Sequence, residues 1–419
     1  MSRLGDLVAP ARLGRDFRWL LASSWVTNLG EGITLAAGPL LVASQTHNPL
    51  AVAMAALLQR LPWLMFGLYA GVLADRGNRR VIVIVTGLFR AAILLGLTAS
   101  ILTHRVDTAV VLAALFLFGI NETFGDTTTT TLLPMLVSPR DLGIANARTQ
   151  TGMVVWNQMA GPPIGATLFA AAMALPFVSE TVCVLAGVLL IARVRLPART
   201  GPPRTARVRE DIREGWRWLW GHPAVRTLAI TIFTFNVTFG AAWSVLVLYA
   251  RERLGMSAVG FGLITTAMAV GGLLGGVSYG WLERRVPLGV IMRVGLIIET
   301  LTHLALALTR WVWFALLVFT IFGAHAFIWG TTSTSVRQRA VPAEFQGRVS
   351  SVYLTGLVGG IVIGSALGGV VASVWGVTAP FWFAFVGSAV ILVLIWRSLV
   401  QIAHADEAHR TEAPATSVR

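Results

Sequence analysis

The chain has 419 residues, 55% of them hydrophobic and only 12% charged, where a soluble domain carries about 25% charged residues. All 33 basic residues are arginine, set against 19 acids for a formal charge of +14. This composition excludes a large soluble core, and the lack of lysine excludes a P-loop, whose G-x-x-x-x-G-K-[ST] pattern needs one. One cysteine, Cys183, leaves no intrachain disulfide to form. In a soluble protein the surplus arginine would suggest nucleic acid; in so apolar a chain it reads as a topology signal, and no nucleic-acid partner is expected.

Taken in order, hydropathy marks twelve apolar segments: 19–43, 50–72, 81–103, 108–130, 142–173 and 176–193, then 225–250, 257–281, 287–308, 311–333, 344–373 and 378–400. A helix needs about 20 residues to cross ~30 Å of hydrocarbon, so the expected fold is an all-α membrane protein with twelve transmembrane helices. Met1 to Arg18 shows no cleavable signal pattern. With the N-terminus in the cytoplasm, 27 arginines fall on that side and 4 on the other, while Arg60 and Arg90 lie inside helices. The positive-inside rule then sets both termini in the cytoplasm of a multi-pass protein of the bacterial plasma membrane.

Between the sixth and seventh segments, 193–224 holds Pro197, Gly201, Pro202 and Pro203 and then turns amphipathic. Val208, Ile212, Trp216, Leu219 and Trp220 recur at helical spacing, with Arg209, Arg213 and Arg217 on another face. The pattern suits a helix in the membrane interface, or one resting on the protein's underside; the tryptophans favour lipid. The tail from 402 to 419 is polar and reads as disordered.

The two halves repeat. A shift of 205 aligns Gly71-Val72 with Gly276-Val277 and Arg79-Arg80 with Arg284-Arg285, while Asp75 becomes Gly280. A shift of 203 aligns Pro139 with Pro342, Gly161 with Gly364 and Gly165 with Gly368. The expected organisation is a six-helix half over 1–192, a linker over 193–224 and a second six-helix half over 225–401.

Three groups of residues carry candidate chemistry. The stretch Gly71-Val72-Leu73-Ala74-Asp75-Arg76-Gly77-Asn78-Arg79-Arg80 is a short basic turn, which forces the helices on either side to be antiparallel neighbours. Asn78 is expected to take a left-handed backbone there, which asparagine tolerates best after glycine. In the fifth segment, Gly161 and Gly165 share a face and let another helix come close, while Pro162 removes a backbone donor and bends the helix. Ionisable residues at membrane depth are costly and usually face a cavity. Glu31, with Asn28 one turn before it, lies past the middle of the first helix. Burial favours the neutral form of a carboxylic acid, which makes Glu31 a candidate proton carrier; the alternative is a structural partner for Arg60 or Arg90. Glu122 is the deeper acid of the fourth helix, and Asp126, one turn on, could pair with Arg76 or Arg79. In the second half, Glu299 and His303 share a face, and His325 lies mid-depth, where histidine is the side chain that titrates most readily. Asn236, Trp243 and Trp329 could offer an amphiphilic molecule a polar and aromatic surface.

The turn at 71–80 resembles the signature loop of the major facilitator superfamily, G-x-L-A-D-R-x-G-R-R, with Asn78 in place of a glycine. The resemblance implies two pseudo-symmetric six-helix halves around a midplane site. It also implies that Gly71, Asp75, Arg76, Arg79 and Arg80 form a conformational latch, in which the Asp75 carboxylate meets the N-terminus of the helix beginning near Glu344; the simpler reading is that they only set topology. Asn157 to Ala166 is similar to the family's antiporter motif, g-x-x-x-G-P-x-x-G-G, with Asn157 and Ala166 replacing glycines, and the simpler reading there is small-residue packing. In the family the first, fourth, seventh and tenth helices line the cavity, which adds Asn28, Asn236, Trp243, His325 and Trp329 as cavity candidates, with Asn157 of the fifth segment as a further one. An arginine common in the fourth helix of drug–proton antiporters is missing. With Ala145-Asn146-Ala147, Pro342 to Val349 and the stretch from Arg18 to Gly32, the chain resembles the branch of macrolide-efflux and enterobactin-exporter proteins.

The expected function is proton-coupled export of amphiphilic small molecules by alternating access, with Glu31 and Glu122 as proton-coupling residues. The expected protein is a monomer that needs no cofactor or metal and is not an enzyme. A facilitative or importing carrier, and a membrane sensor or scaffold, remain as alternatives.

Overall fold

The structure is a computed structural model that describes residues 11–138, 140–196, 208–342 and 345–397. The expectations about the first ten residues, Pro139, the linker prolines, Glu344 and the tail lie outside the described residues. Helices account for every segment that hydropathy marks. They are α1 (Arg15–Gln45), α2 (Pro49–Arg76), α3 (Arg79–Leu102) and α4 (Thr108–Thr130). Next come α5 (Leu142–Gly152), α6 (Gly161–Ala171), α7 (Leu175–Ile191) and α8 (Val208–Gly221). The second half holds α9 (Pro223–Trp243), α10 (Ala258–Arg285), α11 (Leu288–Leu308), α12 (Val312–Ala340), α13 (Gln346–Trp375) and α14 (Ala379–Ile395). Among the described residues nine helices are long and apolar enough to cross a membrane; α7 and α14 are apolar helices of 17 residues, and the fifth segment is built in pieces.

That fifth segment departs from the single helix expected over 142–173. Pro162 and Pro163 have no N–H, so the carbonyls of Gln158 and Met159 lose their usual donors. The backbone answers with a π-helical stretch, Met153–Ala160, and the N–H of Gly161 bonds the Trp156 carbonyl. The Met159 carbonyl is satisfied from outside the helix by the hydroxyl of Thr266, at 2.9 Å. The seventh segment is also shorter than expected: α9 stops at Trp243, and Tyr249–Arg253 is again π-helical.

The turn at 71–80 forms for a different reason than the one expected. Asn78 has φ −74°, not a left-handed value, and its side chain caps α3 by accepting from the N–H of Val81 at 3.3 Å. Asparagine is favoured here because it satisfies an orphan donor of the first helical turn. The helices that the turn joins are also not each other's main partners: α2 packs along α4, and α3 along α7 and α4. Gly119 of α4 permits that approach, since a Cβ there would lie 2.9 Å from the Pro62 ring of α2.

The described residues cluster into two compact units. One contains residues up to 196 together with 247–266; the other contains 208–246 and 267–397. In the first, α1 packs on α6 and α7, α3 on α7 and α4, and α2 on α4. The second repeats the scheme: α9 packs on α13 and α14, and α11 on α14 and α12. Gly275 of α10 lies against the backbone of Ala324 in α12, completing the set. The glycines aligned by the internal shift do the same work in each unit. A Cβ on Gly165 would sit 2.8 Å from the Ile33 Cα of α1, and one on its counterpart Gly368 would sit 2.7 Å from the Ala241 Cα of α9. Small residues thus set the close crossings, as they do between helices in lipid.

The helix α8 forms where the amphipathic pattern expects it, but its apolar residues divide between two faces. Leu219, Ile212 and Trp218 pack with Val225, Val341, Val349 and Val352, whereas Trp216 and Trp220 stay exposed.

Candidate functional site

In the first unit α1, α4 and α7 converge on Arg90 of α3. Its place in α3 puts it opposite Glu180 of α7, which is fully buried. The Nε and Nη2 atoms of Arg90 both donate to Glu180 Oε1, at 2.7 and 2.6 Å, and the Thr34 hydroxyl of α1 donates to Glu180 Oε2. α7 reaches this position because residue 30 is glycine: a Cβ there would be 3.2 Å from Glu180 Cγ and closer still to Cys183. The Phe118 ring of α4 lies 5.3 Å from the guanidinium carbon. A charge at this depth needs such partners, because an unpaired ion in a low-dielectric interior is very costly.

The remaining terminal nitrogen of Arg90, Nη1, is shared. Glu122 Oε1 of α4 lies 3.6 Å from it and Glu31 Oε1 of α1 4.0 Å. Each of these acids has a second, neutral partner. Gln59 of α2 donates to Glu122 at 3.4 Å, and Asn157 of the π-helical stretch donates to Glu31 at 3.4 Å. Exposure rises across the three carboxylates, from 0% at Glu180 to 19% at Glu122 and 31% at Glu31. One fixed cation therefore holds one acid tightly and divides its last donor between two partly exposed acids. A proton or a cationic group can complete that balance.

Glu31, Glu122 and Asn157 are thus brought together, around an arginine that the sequence offers only as one of two alternative partners. Asn28 spends its amide on Ser24 of its own helix, at 2.7 Å. Gly161 and Pro162 sit where α1 crosses the π-helical stretch; a Cβ on Gly32 would lie 2.6 Å from the Asn157 carbonyl. Among the described residues Asp126 makes no ion pair with Arg76 or Arg79. Arg79 instead pairs with Asp75 at 3.6 Å and donates to the Ala74 carbonyl at 3.0 Å. Arg80 donates to the Ala192 carbonyl, Arg76 is exposed, and Gly71 has open space around it. Glu180 is the residue that sequence reasoning missed. Its signal was a lone acid in the apolar run 175–191, which demands a buried cation.

The second unit gathers a different set. His325 Nε2 of α12 lies 3.4 Å from Glu299 Oε2 of α11. Trp243 of α9 stacks on Phe239 with centroids 4.5 Å apart, lies 4.9 Å from Phe322, and meets His303 edge-on at 5.9 Å. His303 is wholly buried, and among the described residues neither its ring nitrogens nor the indole N–H of buried Trp329 has a hydrogen-bond partner. Asn236 donates to the Ile232 carbonyl of its own helix at 2.6 Å.

Among the described residues the chain is helical, with nine helices able to cross a membrane and one packing scheme repeated in two units, and this arrangement is the major facilitator fold of membrane transporters. Solved structures share it. A bacterial homologue of the iron transporter ferroportin in its inward-facing state superposes with a TM-score of 0.73 at 18% identity, covering 93% of this chain and 98% of that one. A mutant of the nucleoside transporter NupG gives 0.72 at 10% identity over 92% and 100%. Among relatives in sequence, the multidrug efflux pump Tap of Mycolicibacterium fortuitum is 27% identical, over 86% of this chain and 90% of that protein. The enterobactin exporter EntS of Escherichia coli O1:K1 is 24% identical, over 90% and 92%. The chain matches the transmembrane secretion effector family over residues 7–418 and belongs to it, within the major facilitator superfamily.

Proposed function

We propose that this protein is a secondary efflux transporter that exports amphiphilic small molecules in exchange for protons. The observation that carries the coupling is the shared Arg90 Nη1, with two partly exposed acids on one donor. When both acids are ionised the cluster holds three negative charges against one positive. A proton on Glu31 or Glu122 relieves that excess, and release of Glu31 frees a carboxylate for the opposite half of the cycle. Export as the direction, and an amphiphilic cargo, rest on the likeness to a multidrug efflux pump and an enterobactin exporter and on family membership. The proton-coupling residues are Glu31 and Glu122; Arg90, Glu180 and Thr34 position them.

Residues 71–80 act as a latch in which Asp75, paired with Arg79, changes partners during transport. Both termini face the cytoplasm, on the arginine asymmetry. The protein catalyses no covalent step and works as a monomer. The test is uptake of ethidium into inverted proteoliposomes during an imposed pH jump. Wild type should accumulate dye, and Glu31→Gln should lose at least tenfold of the gradient-driven rate while retaining downhill exchange. Full gradient-driven uptake in Glu31→Gln would remove the assignment.

A further inference from the structure

The outer face of α8 has no part in the reading above. At 100° per residue, Arg213, Trp216, Arg217 and Trp220 fall within about a quarter of the helix circumference. All four are exposed. Trp216 is 53% and Trp220 46% accessible, and their rings stack at 4.9 Å between centroids. Two large aromatics in water are unusual on a helix whose other face is well packed. Leu219 is buried against Val225, Val341, Val349 and Val352, and Gly215 lies so near α13 that a Cβ would be 2.7 Å from the Arg348 carbonyl. Glu210 and Glu214 flank the stripe, and Glu214 is committed to Arg348 at 2.6 Å. Among the described residues Arg213 and Arg217 make no ion pair.

The height of α8 follows from its connections. It ends at Gly221, and the membrane-spanning helix α9 starts at Pro223. It also crosses the first turn of α13, another spanning helix. It therefore lies at the level where two spans leave the hydrocarbon. Indole rings prefer that level, and arginines there meet phosphate groups.

We propose that the Arg213–Trp216–Arg217–Trp220 stripe is a binding site for anionic phospholipid at the membrane surface, which holds α8, and through Gly215 the start of α13, against the bilayer. Two arginines without acidic partners select a negative headgroup, and the stacked indoles occupy the boundary between headgroup and acyl chain. Each basic residue at an anionic surface raises binding roughly fivefold at low salt, so the pair gives about twenty-five-fold.

The full-length protein in detergent is titrated with phosphatidylglycerol or phosphatidylcholine, and bound lipid is read by native mass spectrometry. The tightest phosphatidylglycerol step should weaken about twenty-five-fold in R213Q/R217Q, while phosphatidylcholine binding stays the same. R213K/R217K should keep most of the preference, W216S/W220S should weaken both lipids, and R310Q should change neither. Equal binding of the two lipids by wild type, or an unchanged phosphatidylglycerol step in R213Q/R217Q, overturns the proposal. So does a dimer that W216S/W220S dissociates, because the stripe would then be an interface between two copies.

Discussion

Removing the positive charge at residue 90 tests the core of the first unit. In Arg90→Met the partner left behind is Glu180, fully buried, with only the Thr34 hydroxyl to donate to it. Deleting one member of a buried ion pair typically costs about 3–5 kcal/mol, because the other is stranded away from water. Glu180→Leu should cost less, about 1.5–3 kcal/mol, since Arg90 keeps Glu122 at 3.6 Å and Glu31 at 4.0 Å. The two changes together leave no stranded ion at that position, and a buried pair can often be replaced by apolar side chains at little net cost. The double variant should therefore be more stable than Arg90→Met alone, a second mutation that restores stability. Equilibrium unfolding in mixed micelles, run as a double-mutant cycle, measures this directly. The double variant should still fail in gradient-driven transport, because Glu31 and Glu122 would have lost their shared donor. A deficit under about 1 kcal/mol in Arg90→Met, or additive losses in the double variant, would refute the view that Glu180 exists to hold this arginine.

Two further outcomes concern the backbone. Asn78→Ala should destabilise by about 1 kcal/mol and Asn78→Gly by only a few tenths, the ranking of a helix cap; a gain from glycine in thermal unfolding would restore the left-handed reading. Thr266→Val should cost about 1–3 kcal/mol by leaving the Met159 carbonyl unpaired, and adding Pro163→Ala, which returns an internal donor, should recover most of that loss.

The architecture was legible because membrane constraints act on every residue at once. Apolar runs of fixed length and small residues repeating at a near-constant offset each mark one feature of the fold. The errors lie where a local pattern has two physical solutions. Asparagine in a turn can adopt a left-handed backbone or cap a helix, and only the geometry around Val81 decides between them. The apolar positions of α8 satisfy one helical period, but nothing in a period says which neighbour takes Leu219 and which leaves Trp216 outside.

The site was half legible for a related reason. Glu31 and Glu122 could be picked out singly, since each is an acid where lipid forbids one. Their meeting point could not, because Arg90 binds a residue 90 positions away and its other partners come from α1 and α4. Pairing follows from helix packing, and packing in this chain does not follow sequence order: α2 turns to α4, and α3 turns to α7. Counting charges narrows the choice even without coordinates. A cation inside the third apolar segment and an acid inside the sixth are both too costly to bury alone, so each makes the other necessary. Once Glu180 has neutralised Arg90, the acids at 31 and 122 are in excess at that depth, and a cation that reached them would relieve that excess.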